Sequence, residues 1–133
     1  IYLLEKFNKN IIYYFICDDK LKATDEFKNF LEKKVTGRYN YEANINNVIN
    51  QIDVLYLTRI QKERFEENSN IKYVKLTKEV LSKSKENLIV MHPLPRNDEL
   101  PENLDNDNKC KYFEQVENGV FVRMALLYYI FRI

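Results

Sequence analysis

Glycine is nearly absent: the 133 residues hold two, Gly37 and Gly119. That excludes a glycine-rich phosphate-binding loop of the Walker or dinucleotide type, which needs several glycines for close backbone approach to phosphate. Histidine occurs once, as His92, and the two cysteines, Cys17 and Cys110, lie far apart in unlike contexts. No Cys or His pair stands at zinc-ligand spacing, so no metal site is expected. Cys17 ends an apolar run and reads as a small buried hydrophobe, whereas Cys110, among Asn, Asp and Lys, reads as exposed. Two isolated cysteines fit a reduced, cytoplasmic protein. Net charge is also lacking, at +1 from 21 Lys and Arg against 20 Asp and Glu. A balance this neutral leaves no footprint for nucleic acid or anionic membrane. Nothing approaches a membrane span, and the start shows no signal-peptide pattern.

What is present is ordinary for a globular domain: 45% hydrophobic and 31% charged residues. The length suits one domain with a real core. Leu3, Leu4 and Phe7 stand at helical spacing with no N-cap before them, so the chain begins inside a helix. Ile11 to Cys17 predicts a buried strand. Thr24-Asp25-Glu26 opens a helix with Phe27, Phe30 and Leu31 on one face, closed by Lys33-Lys34 and Gly37. Tyr39 to Glu42 predicts a short edge strand, and Ile45, Val48, Ile49 and Ile52 a short amphipathic helix. Asp53 to Thr58 is the next strand, a charged loop follows from Arg59 to Asn70, and Thr77 opens another short helix. Leu88 to Met91 is the last central strand. A polar loop over Leu100 to Lys111 leads to a strongly apolar helix from Phe113 to Phe131. Strands alternating with helices predict an α/β unit, a parallel sheet with helices on both faces.

Three clusters could carry chemistry. The first is Met91-His92-Pro93-Leu94-Pro95-Arg96. Two prolines one residue apart end the strand in a stiff shape, leaving the Pro93 and Leu94 carbonyls without helical partners. At the carboxyl end of a parallel strand such carbonyls can face a ligand, and the turn can equally be structural. His92 reads as held by the turn, although imidazole is a common acid or base. The second cluster is Thr58-Arg59-Ile60-Gln61-Lys62-Glu63-Arg64. Arg59 offers a planar fork for a carboxylate, Gln61 an amide that donates and accepts, and Glu63 a partner for Arg59. A solvated loop of weak ion pairs is the competing reading. The third is the helix segment around Gly119 with Arg123, which helix geometry alone makes a surface arginine.

Taken together, three blocks resemble one family. Asp53-Val-Leu-Tyr-Leu-Thr-Arg-Ile-Gln-Lys-Glu-Arg64, Met91-His-Pro-Leu-Pro-Arg-Asn-Asp-Glu99 and Tyr112-Phe-Glu-Gln-Val-Glu-Asn-Gly-Val-Phe-Val-Arg-Met-Ala-Leu-Leu127 occur in the order and spacing of the aspartate carbamoyltransferases. The related ornithine enzymes carry a Cys-containing loop in place of His92–Arg96 and lack the Thr-Arg-x-Gln block, which favours aspartate over the ornithine activity. The resemblance implies a Rossmann-like three-layer domain that binds the amino acid. Arg59 would take the side-chain carboxylate of aspartate, oriented by Glu63, with Gln61 placing the amino acid. Pro93 and Leu94, with Leu94-Pro95 cis, would hold the attacking amine and the carbamoyl amide. Arg96 and Glu99 would be a supporting loop pair, and Arg123 a structural or interdomain arginine. The implied partners are L-aspartate and carbamoyl phosphate in a homotrimer, with no cofactor, giving N-carbamoyl-aspartate for pyrimidine synthesis. The family's Ser-x-Thr-Arg-Thr and His-Pro-x-Gln segments and its first strand of this domain do not occur here. The expectation is therefore an aspartate-binding half lacking its first strand, inactive alone. A non-catalytic scaffold that kept the motifs is the alternative from a different class.

Overall fold

The structure is a computed structural model describing residues 1–35, 38–59 and 72–132. These divide into two compact units, one of residues 1–35, 38–48 and 72–74, the other of 49–59 and 75–132.

The first unit opens with α1, Tyr2–Phe7, which has no side-chain cap at Ile1. The β-branched and aromatic run that follows forms β1, Ile12–Ile16. Asp18 then caps a 3-10 turn at Asp19–Leu21 by accepting from Lys20 N. Thr24 caps α2, Asp25–Lys34, accepting from Phe27 N, and Lys33-Lys34 close it beside the negative end of the helix dipole. The helix ends at Val35; Gly37, the predicted stop, lies outside the described residues. Strand β2, Arg38–Glu42, pairs parallel with β1 from Ile12↔Arg38 to Ile16↔Glu42.

Three expectations for this part need correction. β1 is exposed at Ile12 and half-buried from Tyr13 to Ile16, and Cys17 is half-buried as well. Of the α2 stripe only Leu31 is buried, while Phe27 and Phe30 stack on each other at the surface. The helix expected around Ile45 is a single 3-10 turn, Ile45–Asn47, because Asn44 caps it locally through Asn46 N. Of the four apolar residues expected on that helix, Ile45, Val48 and Ile49 are nevertheless buried, and Ile52 is half-buried.

The second unit contains β3, Val54–Tyr56, and β4, Ile89–Met91, again a parallel pair, with Val54↔Ile89 and Tyr56↔Met91 in register. Between them Thr77 caps α3, Lys78–Ser82, which buries Val80 and Leu81. Parallel pairing is as the sequence predicts; uniform strand burial is not. Leu55 and Val90 face inward while Val54 and Ile89 are 50% and 42% exposed, because successive side chains alternate and the described residues cover one face.

The segment expected to be a polar loop is partly a packed element. It contains a 3-10 turn, Glu102–Leu104, with Leu100 and Leu104 buried, and it runs alongside β4. There Val90 N donates to Lys109 O at 2.8 Å and Lys111 N to Val90 O at 2.9 Å, so Cys110 sits as a parallel bridge beside Val90 and is half-buried. This contact launches α4, Tyr112–Phe131, whose first residue is fully buried. Among the described residues, no helix is long and apolar enough to cross a membrane and no cluster of ligating side chains could hold a metal.

Candidate functional site

The parallel register places two chain exits side by side. Ile89 N donates to Asp53 O at 3.0 Å at one end of the pair, and Leu57 N to Met91 O at 2.9 Å at the other. Thr58-Arg59 therefore leaves β3 at the same carboxyl edge where His92-Pro93 leaves β4. Arg59 is half-buried there. Gln61 and Glu63 lie outside the described residues.

The turn after β4 is held from its ring outward. His92 is fully buried, and its backbone N–H donates to Gln115 Oε1 on α4 at 2.9 Å. Leu94 N donates to His92 Nδ1 at 2.9 Å, so that nitrogen accepts and carries no proton. The proton is then on Nε2, which donates to Glu99 Oε1 at 3.0 Å. The same carboxylate oxygen accepts from Asn97 N at 2.8 Å, and Glu99 is itself buried. A carboxylate out of water needs such partners. The closed ring of contacts fixes the imidazole in one orientation, with Nδ1 as acceptor and Nε2 as donor.

Leu94 stands at φ 49°, in the left-handed region, and the Leu94-Pro95 peptide is cis, as the resemblance implies. A left-handed leucine costs about 1–2 kcal/mol and persists only where its surroundings hold it. Here they do, through the N–H locked onto His92.

The far side of the turn is clamped differently from the expected pairing. Arg96 does not bond Glu99; it forks onto Asp105, with Nη1 on Oδ1 and Nη2 on Oδ2, the latter at 2.9 Å. Its guanidinium also lies 5.8 Å from the Tyr112 ring centre and 5.9 Å from that of Phe113, at cation–π distance. Tyr112 donates its hydroxyl to Asp105. The Arg96 fork, with the Tyr112 hydroxyl, lowers the Asp105 carboxyl from 3.8 to about 2. Hydrogen bonding to Asp105 raises Arg96, and burial raises the Tyr112 phenol. Arg96 and Glu99 thus support the same turn through separate partners.

Pro93, Leu94, Arg96 and Glu99 come together, with Arg59 at the neighbouring strand end. Arg123 does not join them. It is exposed on α4, eight residues beyond Gln115, which is about 12 Å along a helix axis. Its guanidinium lies over Gly119, where an added Cβ would meet it at 3.5 Å, so ordinary contact and no clash. The sequence reading placed Gln115 in the third cluster and Tyr112 at the head of the third block but gave neither a role, and it did not single out Asp105. Asp105 stands nine residues from Arg96 in an irregular segment, and no periodicity links the two.

Over residues 1–130 the chain matches the family model described as aspartate/ornithine carbamoyltransferase, Asp/Orn binding domain. The chain belongs to this family. It is 44% identical over 128 residues to the aspartate carbamoyltransferase catalytic subunit of Wigglesworthia glossinidia brevipalpis, spanning 93% of this chain and 40% of that protein. To the chloroplastic aspartate carbamoyltransferase 1 of Pisum sativum it is 38% identical over 132 residues, 95% of this chain and 33% of the relative. The crystal structure of Trypanosoma cruzi aspartate transcarbamoylase in complex with carbamoyl phosphate and aspartate superposes with a TM-score of 0.81 at 30% identity, covering 90% of this chain and 41% of that one. The chain therefore spans about a third to two fifths of these relatives' length. Within that span lies the family's Asp/Orn-binding domain.

Proposed function

We propose that these 133 residues are the aspartate-binding domain of an aspartate carbamoyltransferase. The reaction joins two substrates. The amine nitrogen of aspartate attacks the carbamoyl carbon of carbamoyl phosphate; an N–C bond forms, the C–O bond to phosphate breaks, and phosphate leaves with the electron pair as the amine gives up a proton. The product is N-carbamoyl-aspartate, a pyrimidine precursor. Arg59 takes the side-chain carboxylate as a bidentate pair, Gln61 places the amino acid and Glu63 orients Arg59. The Pro93 and Leu94 carbonyls accept from the amine and the carbamoyl amide. Catalysis in this reading comes from positioning and from stabilising the tetrahedral oxyanion, without metal or organic cofactor. A Rossmann-like three-layer domain, a cytoplasmic homotrimer, and no nucleic-acid or membrane partner complete the proposal.

The observation that carries it is the shared carboxyl edge. Arg59 and the His92–Arg96 turn leave paired parallel strands at the same end, where α/β folds bind ligands. The name of the Trypanosoma cruzi complex, with carbamoyl phosphate and aspartate, supports the choice of substrates.

The test is carbamoyl transfer by the full-length protein, with aspartate and ornithine compared side by side. Transfer to aspartate alone is expected. Arg59→Ala removes about 3 kcal/mol of carboxylate binding, over a hundredfold in kcat/KM for aspartate. Turnover with ornithine, or an aspartate dependence untouched in Arg59→Ala, would overturn the reading.

A further inference from the structure

The buried imidazole of His92 touches no open surface, so it has no route to a reacting atom. Its two nitrogens are nevertheless both committed, one to a backbone amide of the turn and one to a buried carboxylate. We propose that His92 is a positioning residue for the amino-acid substrate, and that Glu99 sets it by fixing the proton on Nε2. This inference rests on the functional reading above.

The chain of cause is short. Glu99 Oε1 already accepts from Asn97 N at 2.8 Å, and an oxygen serving as acceptor there leaves the ring nitrogen that faces it at 3.0 Å to carry the proton. Nδ1 is then left as an acceptor, and it captures Leu94 N–H at 2.9 Å. That bond holds Leu94 at φ 49°, a conformation leucine does not choose for itself. The φ of Leu94 governs how the Pro93 and Leu94 carbonyls are disposed to each other. Were the proton on Nδ1, two N–H groups would face each other and the turn would open. Gln115 seats the start of the same turn through His92 N–H, and its amide Nε2 reaches the Tyr56 hydroxyl on β3 at 3.4 Å. One side chain on α4 therefore ties the exit of β4 to the strand that leads to Arg59.

Substitutions separate this role from simple stability. His92→Asn keeps an oxygen able to accept an N–H two residues on, as Asn does in an Asx turn, while losing the link to Glu99. His92→Ala keeps neither. In the full-length protein, His92→Ala is expected to raise the KM for aspartate about tenfold with that for carbamoyl phosphate within about twofold, and His92→Asn to restore most of the loss. Equal impairment of Ala and Asn variants, or parallel changes in both KM values, would overturn the proposal. Imidazole nitrogen NMR gives a readout independent of turnover. The wild-type ring is expected to be protonated on Nε2 alone, Glu99→Gln to preserve that pattern through its amide oxygen, and Glu99→Leu to give mixed tautomers. A Glu99→Leu spectrum like the wild type's overturns the inference. If the wild type fails to carbamoylate aspartate, the functional reading falls, and these spectra still decide whether Glu99 sets the ring.

Discussion

Arg96 and Asp105, nine residues apart in the chain, form a two-pronged ion pair that closes the segment after β4 into a loop. The Arg96 side chain is 17% exposed and the Asp105 side chain 27%, so the pair is shielded enough to matter. Tyr112, at the first turn of α4, adds its hydroxyl to the same carboxylate. The turn after β4 is thereby tied to the helix that follows it.

Removing one partner is the direct check. Arg96→Lys retains the charge but loses the planar fork and the contact with the Tyr112 and Phe113 rings, so it behaves as a real lesion. A loss of about 1–3 kcal/mol is expected, together with a higher KM for aspartate. Asp105→Asn should fall in the same range, because it leaves the guanidinium only the exposed Glu102 carboxylate, 3.9 Å away, as counter-charge. Urea unfolding of the intact protein measures the first effect, and initial rates the second. An Arg96→Lys variant indistinguishable from wild type in both would contradict the clamp.

The same pair sets an acid limit. Asp105 is held at about 2 against an ordinary 3.8, chiefly by Arg96. A carboxyl lowered in the folded state stabilises fully above its unfolded value and loses that contribution as pH falls through its folded one. The window is therefore pH 3.8 down to about 2. Discounted for solvent screening, the contribution is on the order of 1 kcal/mol. Melting temperature followed from pH 5 to about 2 should fall less in Asp105→Asn than in wild type. Parallel curves would show that Asp105 does not titrate with folding.

The sequence was legible where local chemistry decides the outcome. Thr24 and Thr77 announce the starts of α2 and α3, and both side chains accept the N–H three residues on. The proline pair Pro93 and Pro95 marks the end of β4 at Met91, and the β-branched runs give the strands. The strand exits share an edge because pairing is parallel, and alternation of strands with helices already implies that. Partners set by tertiary packing were illegible. Nothing in the sequence distinguishes Asp105 from other acids in its polar segment as the partner of Arg96. Nor does helix periodicity reveal that Gln115 reaches back to His92. Burial was misjudged where an apolar run implied an enclosed strand, because composition reports affinity for a core and not whether described neighbours cover both faces.

Leu100 tests the segment that reads as a loop. It is 1% exposed, and the Leu76 amide beside it donates to Glu99 O at 2.9 Å. A solvated loop would tolerate Leu100→Ala almost freely. A packed one loses transfer energy and leaves a cavity, which costs about 2–5 kcal/mol. The larger value of the two is expected, read as a drop in the urea midpoint at unchanged slope. A change below about 0.5 kcal/mol would return the segment to a surface loop.

Leu94 offers the sharpest check on the turn, since its backbone and side chain make opposite demands. At φ 49° a leucine carries about 1–2 kcal/mol of steric cost that glycine escapes. Glycine gives back about 0.5–1 kcal/mol through the greater freedom of its unfolded chain. Both Leu94→Gly and Leu94→Ala lose the half-buried side chain, and only Ala keeps the left-handed penalty. Elsewhere in ordered structure Ala is the better replacement; at this position Gly should be the more stable of the two by several tenths of a kcal/mol up to about 1. Paired unfolding curves of the two variants read the difference without reference to activity. An alanine variant as stable as the glycine one would mean that His92 does not hold Leu94 in the left-handed region, and the presentation of the turn's carbonyls would need another cause.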